Sequence, residues 1–274
     1  MGATARQGSE VSQDCDLQSH MKRMCEAVAS RANDERGRDM SMKVTDRKKS
    51  TRVIDRMAEE VVVQYVERNG LPLNVLSEEA GLIDRGFEET LIVDPIDGTH
   101  NAIRGIPFYS TALAVGKGDT SGVRCGLVMN LATADTFWAS KGEGAYLNGS
   151  RIRTRRFAET GSMFLGYIGR HTSKDVDRIY RLPTRFRALG CASLELCLVA
   201  SGKADAYLTL TASSDYGLHV WDIAAACLIL DEAGGGSVIP TDKGYQPMKM
   251  GFDAEERISI ISYGDRGFLE FIKA

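Results

Sequence analysis

The stretch ETLIVDPIDGTHNAIRG, Glu89 to Gly105, runs the apolar residues Leu91, Ile92 and Val93 into two aspartates, Asp94 and Asp97, separated by Pro95-Ile96. Proline fixes its own φ and biases the residue before it towards extended backbone. The spacing therefore predicts Asp94 held at a strand end and a chain that turns sharply through Ile96, so that both carboxylates converge on one point. Two adjacent carboxylates repel strongly unless a cation lies between them. LNVLSEEAG places Glu78 and Glu79 at the end of a second buried strand, HVWDIAAACLIL places Asp222 at the head of a very apolar helix, and Asp55 lies on another helix between Ile54 and Met57. Taken singly, these describe a solvated Asp-Pro turn, a solvated loop, a helix cap and an exposed flank. Together they put four acidic sites at strand ends and helix starts, where α/β folds gather their ligands.

The ligand type narrows the ion. The four histidines, His20, His100, His171 and His219, form no HxxxH pair and no cluster with cysteine, which disfavours zinc. Carboxylates with a backbone carbonyl favour a hard cation, Mg²⁺ first, with Mn²⁺ or Ca²⁺ as competitors. Asp94-x-x-Asp97 lacks the alternating ladder of a calcium loop. Gly98-Thr99 follows directly. Glycine permits close backbone approach, and a helical turn starting there aims free N–H groups at the same place, an arrangement that binds phosphate. Cations beside such a cradle suit phosphoryl transfer to water.

Around these residues the chain reads as alternating helices and strands. Leu17, Met21, Met24, Cys25 and Val28 fall at helical spacing, and Val53, Ile54, Met57, Ala58, Val61, Val62, Tyr65 and Val66 form one helical stripe, with Thr51 as candidate cap and Asn69-Gly70 as the end. The basic, punctuated segment before Thr51 reads as a loop. Tyr109 to Arg153 shifts to period two, with Asn148-Gly149 marking a hairpin turn. Further strands follow at MFLGYI, FRALG, DAYLTL, GGSVI and ISIISY, with helices near 173–181, 191–202 and 219–233 and one closing the chain. The 274 residues suffice for two intimately packed α/β halves, 1–155 carrying most of the acidic motifs and 156–274 carrying Asp222. A net charge of −3 argues against nucleic-acid binding by bulk charge. No apolar run approaches a membrane span, no secretory signal is visible, and residues 1–12 read as a frayed tail. Six cysteines without a CxxC pair read as free thiols in a reducing cytoplasm.

DPIDGTHN (94–101) with WDIAAA (221–226) and SEE (77–79) resembles the inositol monophosphatase family of Mg²⁺-dependent, lithium-sensitive phosphatases. The likeness runs from about residue 51 to 262 and includes LGCASLELCLVASGKADAY and LDEAGG. STRVID, SEEAG and HNAIRGIPFYS look closest to the archaeal type, whose members commonly act on inositol 1-phosphate and fructose 1,6-bisphosphate. The resemblance implies a layered α-β-α-β-α sandwich and a homodimer. It implies that Glu78, Asp94 and the Ile96 carbonyl hold one metal, that Asp94, Asp97 and Asp222 hold a second, and that Glu78 with water helps hold a looser third. It further implies that Asp55 and Thr99 orient and deprotonate the attacking water, and that the Gly98 and Thr99 N–H groups bind phosphate. Gly190, Cys191 and Ala192 match a segment whose backbone meets the sugar or inositol ring, and Asp215 matches an acidic residue that accepts ring hydroxyls. Arg104, Arg170, Arg185 and Arg187 are candidates for a distal phosphate, the alternating pair Arg185 and Arg187 foremost. In the loop before Asp55, DRKK replaces the acidic, glycine-rich segment often found in the family.

The leading expectation is thus a Mg²⁺-dependent phosphomonoesterase. A second is a relative acting on 3′-phosphoadenosine 5′-phosphate or NADP. A third, of another class, is a non-catalytic metal- or phosphate-binding module, which the presence of both Asp55 and Thr99 disfavours.

Overall fold

Successive residues of a strand point to opposite faces of its sheet, and the uninterrupted apolar run Leu91-Ile92-Val93 therefore calls for a sheet covered on both sides. The computed structural model describes residues 16–32, 47–174, 179, 182 and 185–273. In it, eight strands form the first sheet: β1 (Asn74–Ser77), β2 (Gly81–Ile83), β3 (Thr90–Asp97), β4 (Ser110–Gly116), β5 (Val123–Asn130), β6 (Thr136–Ser140), β7 (Gly144–Leu147) and β8 (Ser150–Ile152). Their order is β2-β1-β3-β4-β5-β6-β7-β8, antiparallel throughout except for the parallel pair β1–β3. The second sheet has six strands, β9 (Met163–Gly166), β10 (Arg185–Arg187), β11 (Ala206–Thr209), β12 (Gly236–Thr241), β13 (Gly244–Pro247) and β14 (Ile260–Tyr263), in the order β10-β9-β11-β14-β12-β13.

Three helical layers enclose these sheets. Helix α1 (16–32) and α2 (Arg47–Arg68) bury Met21, Met24, Val28, Ala58, Val62 and Val66 against Leu91, Val93, Leu113 and Leu127 on one face of the first sheet. Ile92, Ala112, Ala114 and Val128 point to the opposite face. There they meet α4 (Ala192–Ala200) and α5 (Val220–Glu232), which lie between the two sheets. A helix enclosed on both sides must be apolar all round, and ASLELCLVA and VWDIAAACLILDE are nearly so. Gly126 on β5 permits this contact, since a Cβ there would lie 2.8 Å from the Ala225 carbonyl oxygen. Beyond the second sheet, α6 (Gly267–Lys273) packs Phe268, Leu269 and Ile272 on Phe164, Leu208 and Ile261. The expected α-β-α-β-α sandwich is therefore the observed order of layers.

Two expectations are corrected. Helix α2 starts at Arg47, not at Thr51, so the segment read as a loop up to residue 51 is helical over its last part. Arg, Lys and Ser continue a helix without adding to an apolar stripe, so hydrophobic periodicity does not mark its start. The chain also does not end β3 before a turn at Ile96, since the strand continues to Asp97. Residues 1–12, 33–46 with Asp46, and most of the helix expected near 173–181 lie outside the described residues. Among the described residues no helix is long and apolar enough to cross a membrane.

Candidate active site

The bulge in β3 sets the geometry of the acidic pair. Asp94 stands opposite Ala112 and Asp97 opposite Ser110, so three steps along β3 match two along β4. In a regular strand, residues three apart face opposite sides. One extra residue restores the same side. Pro95 has no N–H to offer the ladder, and its carbonyl accepts from the Thr111 hydroxyl at 2.7 Å instead. Asp94 is buried, and its Oδ1 has no hydrogen-bond partner. Burial, and then Asp97, Asp222, Glu78 and Asp55 in turn, raise its carboxyl well above the usual range.

The other carboxylates arrive on separate elements. Asp97 Oδ2 accepts both the N–H and the hydroxyl of Ser193, at 2.7 and 2.6 Å, and Ser193 shares its hydroxyl with Ser110 at 2.7 Å. Asp222 sits in the first turn of α5, where its Oδ2 accepts the His219 N–H at 2.7 Å. Burial, followed by the charge of Asp97, pushes its carboxyl up to about 8. Glu78 lies on the exposed rim after β1. Partial desolvation, then Glu79 and Asp97, raise it. Glu59, on α2, fixes this rim: its buried Oε2 accepts the Glu79 and Ala80 N–H groups, each at 3.1 Å, and the Ser77 hydroxyl.

Thr99 opens the short helix α3 (Thr99–Arg104), behind Gly98 at φ 84°. Its hydroxyl lies 3.0 Å from Asp55 Oδ1 and 3.0 Å from the Ile96 carbonyl, two acceptors for one proton. Asp55 is buried on α2, and burial pushes it up to about 7 against the opposing hydrogen bond from Thr99. A Cβ on Gly98 would come within 3.1–3.2 Å of the Gly190 and Phe108 carbonyl oxygens and of Cys191 Cβ. Asp55, Glu78, Gly98, Thr99 and Gly190 line one open cleft of about 850 Å³.

The structure thus brings together Asp55, Glu78, Asp94, Asp97, Gly98, Thr99 and Asp222, coupled through contact or charge. Gly190 stands exposed at the cleft wall, while Cys191 and Ala192 are buried at the start of α4. Arg185 and Arg187 are exposed on the edge strand β10, and Asp215 is exposed in a turn, held by the Ser213 hydroxyl at 2.9 Å; these three lie outside the cleft lining. Arg104 and Arg170 are exposed and also lie outside it. Arg257 was not anticipated. It lines the cleft, donates to the Asp215 carbonyl at 2.7 Å and counters the rise of Glu78. Among the described residues, no three acidic, histidine or cysteine side chains stand in an arrangement that could hold a metal ion. The donors are nevertheless all hard oxygens, and Asp94 presents a buried one without a partner. That chemistry fits a hard divalent cation.

A profile of the inositol monophosphatase family matches residues 10–262. The chain belongs to the inositol monophosphatase family. By class this inositol monophosphatase family member is a phosphoric monoester hydrolase. It is 38% identical over 228 residues to the fructose-1,6-bisphosphatase/inositol-1-monophosphatase of Methanothermobacter thermautotrophicus, covering 78% of this chain and 79% of that one. It is 32% identical to the bifunctional NADP phosphatase/NAD kinase of Methanococcus maripaludis, over 77% of this chain and 40% of that longer one. The solved structure of an inositol monophosphatase–fructose 1,6-bisphosphatase superposes with a TM-score of 0.71 at 31% identity, covering 80% of this chain and 82% of that one.

Proposed function

We propose that this family member is a Mg²⁺-dependent phosphomonoesterase that hydrolyses inositol 1-phosphate and fructose 1,6-bisphosphate with water as the nucleophile. The observation that carries the reading is the meeting of Asp94, Asp97 and Asp222, one carboxylate oxygen unpartnered, beside the Thr99–Asp55 hydrogen bond. The substrate pair comes from the relatives that bear both names.

Glu78, Asp94, the Ile96 carbonyl, Asp97 and Asp222 would hold two to three Mg²⁺ ions, with Mn²⁺ as a substitute. When bound, such ions acidify water and offset the charge of the phosphoryl group. The chain's own residues do the rest. The Thr99 hydroxyl accepts the proton of the attacking water as it passes its own to Asp55 Oδ1. Asp55 is suited to this because burial has already made it a stronger base than an exposed aspartate. Were a bound ion to hold the Ile96 carbonyl, which now also accepts from Thr99, Asp55 would be the remaining acceptor for the Thr99 proton. The N–H groups of Gly98 and Thr99 hold the phosphate. The Gly190 backbone, with Cys191 and Ala192 buried behind it, would face the polyol or sugar, while Asp215, Arg185 and Arg187, outside the cleft lining, would serve only a substrate or distal phosphate that extends beyond the cleft. The halves 1–155 and 156–274 act as one catalytic unit. We place this unit in the cytoplasm as a homodimer. The five cysteines among the described residues are free and buried, in keeping with a reducing compartment.

Initial rates on inositol 1-phosphate, fructose 1,6-bisphosphate, NADP and 3′-phosphoadenosine 5′-phosphate, with and without Mg²⁺, test the reading. Equal rates in Mg²⁺ and in chelator would overturn it. Turnover confined to NADP would favour the second reading, which the methanococcal relative supports.

A further inference from the structure

The exposed wall of the cleft at Gly190 belongs to a three-residue turn, Leu189-Gly190-Cys191, that precedes α4 and lies outside every strand and helix. A backbone turn beside a polar cleft is held only as well as its hydrogen bonds are satisfied. Two side chains supply them here, from opposite sides. Glu195, 2% exposed on α4, accepts the Leu189 N–H at 3.1 Å from within the first turn that follows. Among the described residues it forms no ion pair, so a buried carboxylate is given over to a backbone donor. Asn101, half-buried on α3, spans the other side. Its Nδ2 donates to the Leu189 carbonyl at 2.7 Å and to the Phe108 carbonyl at 2.8 Å, with the Gly190 carbonyl at 3.5 Å. The Gly190 and Phe108 carbonyls also crowd position 98, where a Cβ would lie 3.1–3.2 Å from them on a backbone at φ 84°. The turn, Gly98 and the start of α3 are therefore pinned as one piece across 88 residues of sequence.

We infer that Glu195 and Asn101 are positioning residues for the organic part of the substrate: a two-sided clamp that fixes the Leu189–Cys191 backbone against Gly98, and so sets the distance between the phosphate end of the cleft and its polyol end. This rests on the phosphatase reading above. Neither side chain lines the cleft. Their effect passes through the turn, and it concerns substrates that reach the turn rather than the phosphoryl group itself. A carboxylate that merely closed the first turn of α4 would support all substrates alike.

The test compares inositol 1-phosphate with p-nitrophenyl phosphate, which has no hydroxylated ring, in Glu195→Met, Glu195→Gln and Asn101→Asp. Methionine keeps the volume without an acceptor, glutamine keeps one acceptor, and aspartate turns the Asn101 donor into an oxygen facing carbonyl oxygens. In Glu195→Met and Asn101→Asp, KM for inositol 1-phosphate should rise about tenfold, the scale of one lost backbone hydrogen bond, with kcat changed much less. The kcat/KM for p-nitrophenyl phosphate should fall far less, and Glu195→Gln should recover most of the ring-dependent loss. Hydrogen exchange should accelerate at residues 189–191 in Glu195→Met while β5 stays protected. Parallel losses on both substrates, no loss on either, or unchanged exchange at 189–191 would each overturn the clamp. A parent enzyme that turns over neither phosphoester would instead sink the phosphatase reading, and the exchange measurement would then judge the clamp alone.

Discussion

Thr99 donates to Asp55 at 3.0 Å across 44 positions of sequence, joining the start of α3 to the middle of α2. Neither residue neighbours the other in any local element, and the contact forms only when α2 lies on the face of the sheet that ends at Asp97. The pair couples a hydroxyl at the phosphate end of the cleft to a buried carboxylate. In the proposed reaction it relays a proton.

Asp55→Asn should therefore keep the fold and the hydrogen bond in some form but lose the base. We expect kcat to fall by about 10²–10⁴, the usual contribution of a positioned general base, with little change in KM. Steady-state kinetics on inositol 1-phosphate check this. A loss expressed mainly in KM would place Asp55 in binding instead.

Asp94→Asn should separate function from stability. The variant should lose phosphate release in Mg²⁺, since the buried oxygen without a partner is removed from the acidic cluster. Its metal-free form should lose less Tm than the parent as pH rises, because asparagine carries no carboxyl to ionise beside Asp97 and Asp222. For a protein of this size each kcal/mol corresponds to about 2–4 °C, so calorimetry in chelator resolves the shift. A fall in Tm with pH as steep in the variant as in the parent would contradict the account of mutual repulsion.

The pH dependence of the metal-free protein has a definite sign. Asp222 titrates at about 8 in the fold, against an ordinary value of 3.8. A carboxyl raised on folding favours the native state while protonated. Its stabilisation is complete below about 4, the unfolded value, and is lost progressively as pH rises to about 8. Asp94 acts in the same direction. Chelated protein should accordingly lose Tm between pH 5 and pH 8, while added Mg²⁺ should raise Tm more at pH 8 than at pH 5. Melting curves in chelator and in Mg²⁺ across that range decide it. An equal or larger Mg²⁺ effect at pH 5 would refute the linkage.

Ser193→Ala removes the hydroxyl that orients Asp97 and leaves Ser110 without that partner. Groups that orient a metal-binding carboxylate commonly account for about 10–100-fold in metal affinity. The Mg²⁺ concentration for half-maximal rate should rise in that range, with the rate at saturating Mg²⁺ largely recovered. Titration calorimetry with Mg²⁺ provides the readout independent of turnover.

The parts of the site readable in sequence are those encoded locally. Asp94, Asp97 and Asp222 stand where an apolar strand or helix meets polar chain, and Gly98 and Gly105 bracket a short helix with the left-handed conformations glycine favours. The very apolar run after Asp222 likewise marked α5 as a helix. Ser193, Glu195 and Glu59 escaped notice because their importance lies in partners far along the chain: Ser193 meets Asp97 from 96 positions away, and nothing in ASLELC distinguishes Glu195 from a helix-capping or solvated glutamate. The bulge at Pro95-Ile96 was misread as a turn because Asp-Pro-x-Asp-Gly suits both, and only pairing with β4 separates them. The start of α2 was missed because Arg47 to Ser50 carry no apolar stripe. Strand β13, with Gln and Pro at its end and no clear alternation, left no periodic signal, which suits its place at a sheet edge.

The enclosure of α4 and α5 between the sheets bears on how the protein is made. Glu78, Asp94 and Asp97 leave the ribosome long before the helices that bring Ser193 and Asp222 to them, so the emerging N-terminal segment carries acidic groups but no cage. The first sheet has no second cover until those helices are synthesised. Completion of the hydrophobic interior and assembly of the acidic centre are thus one event, and a nascent chain stalled before residue 222 would have neither.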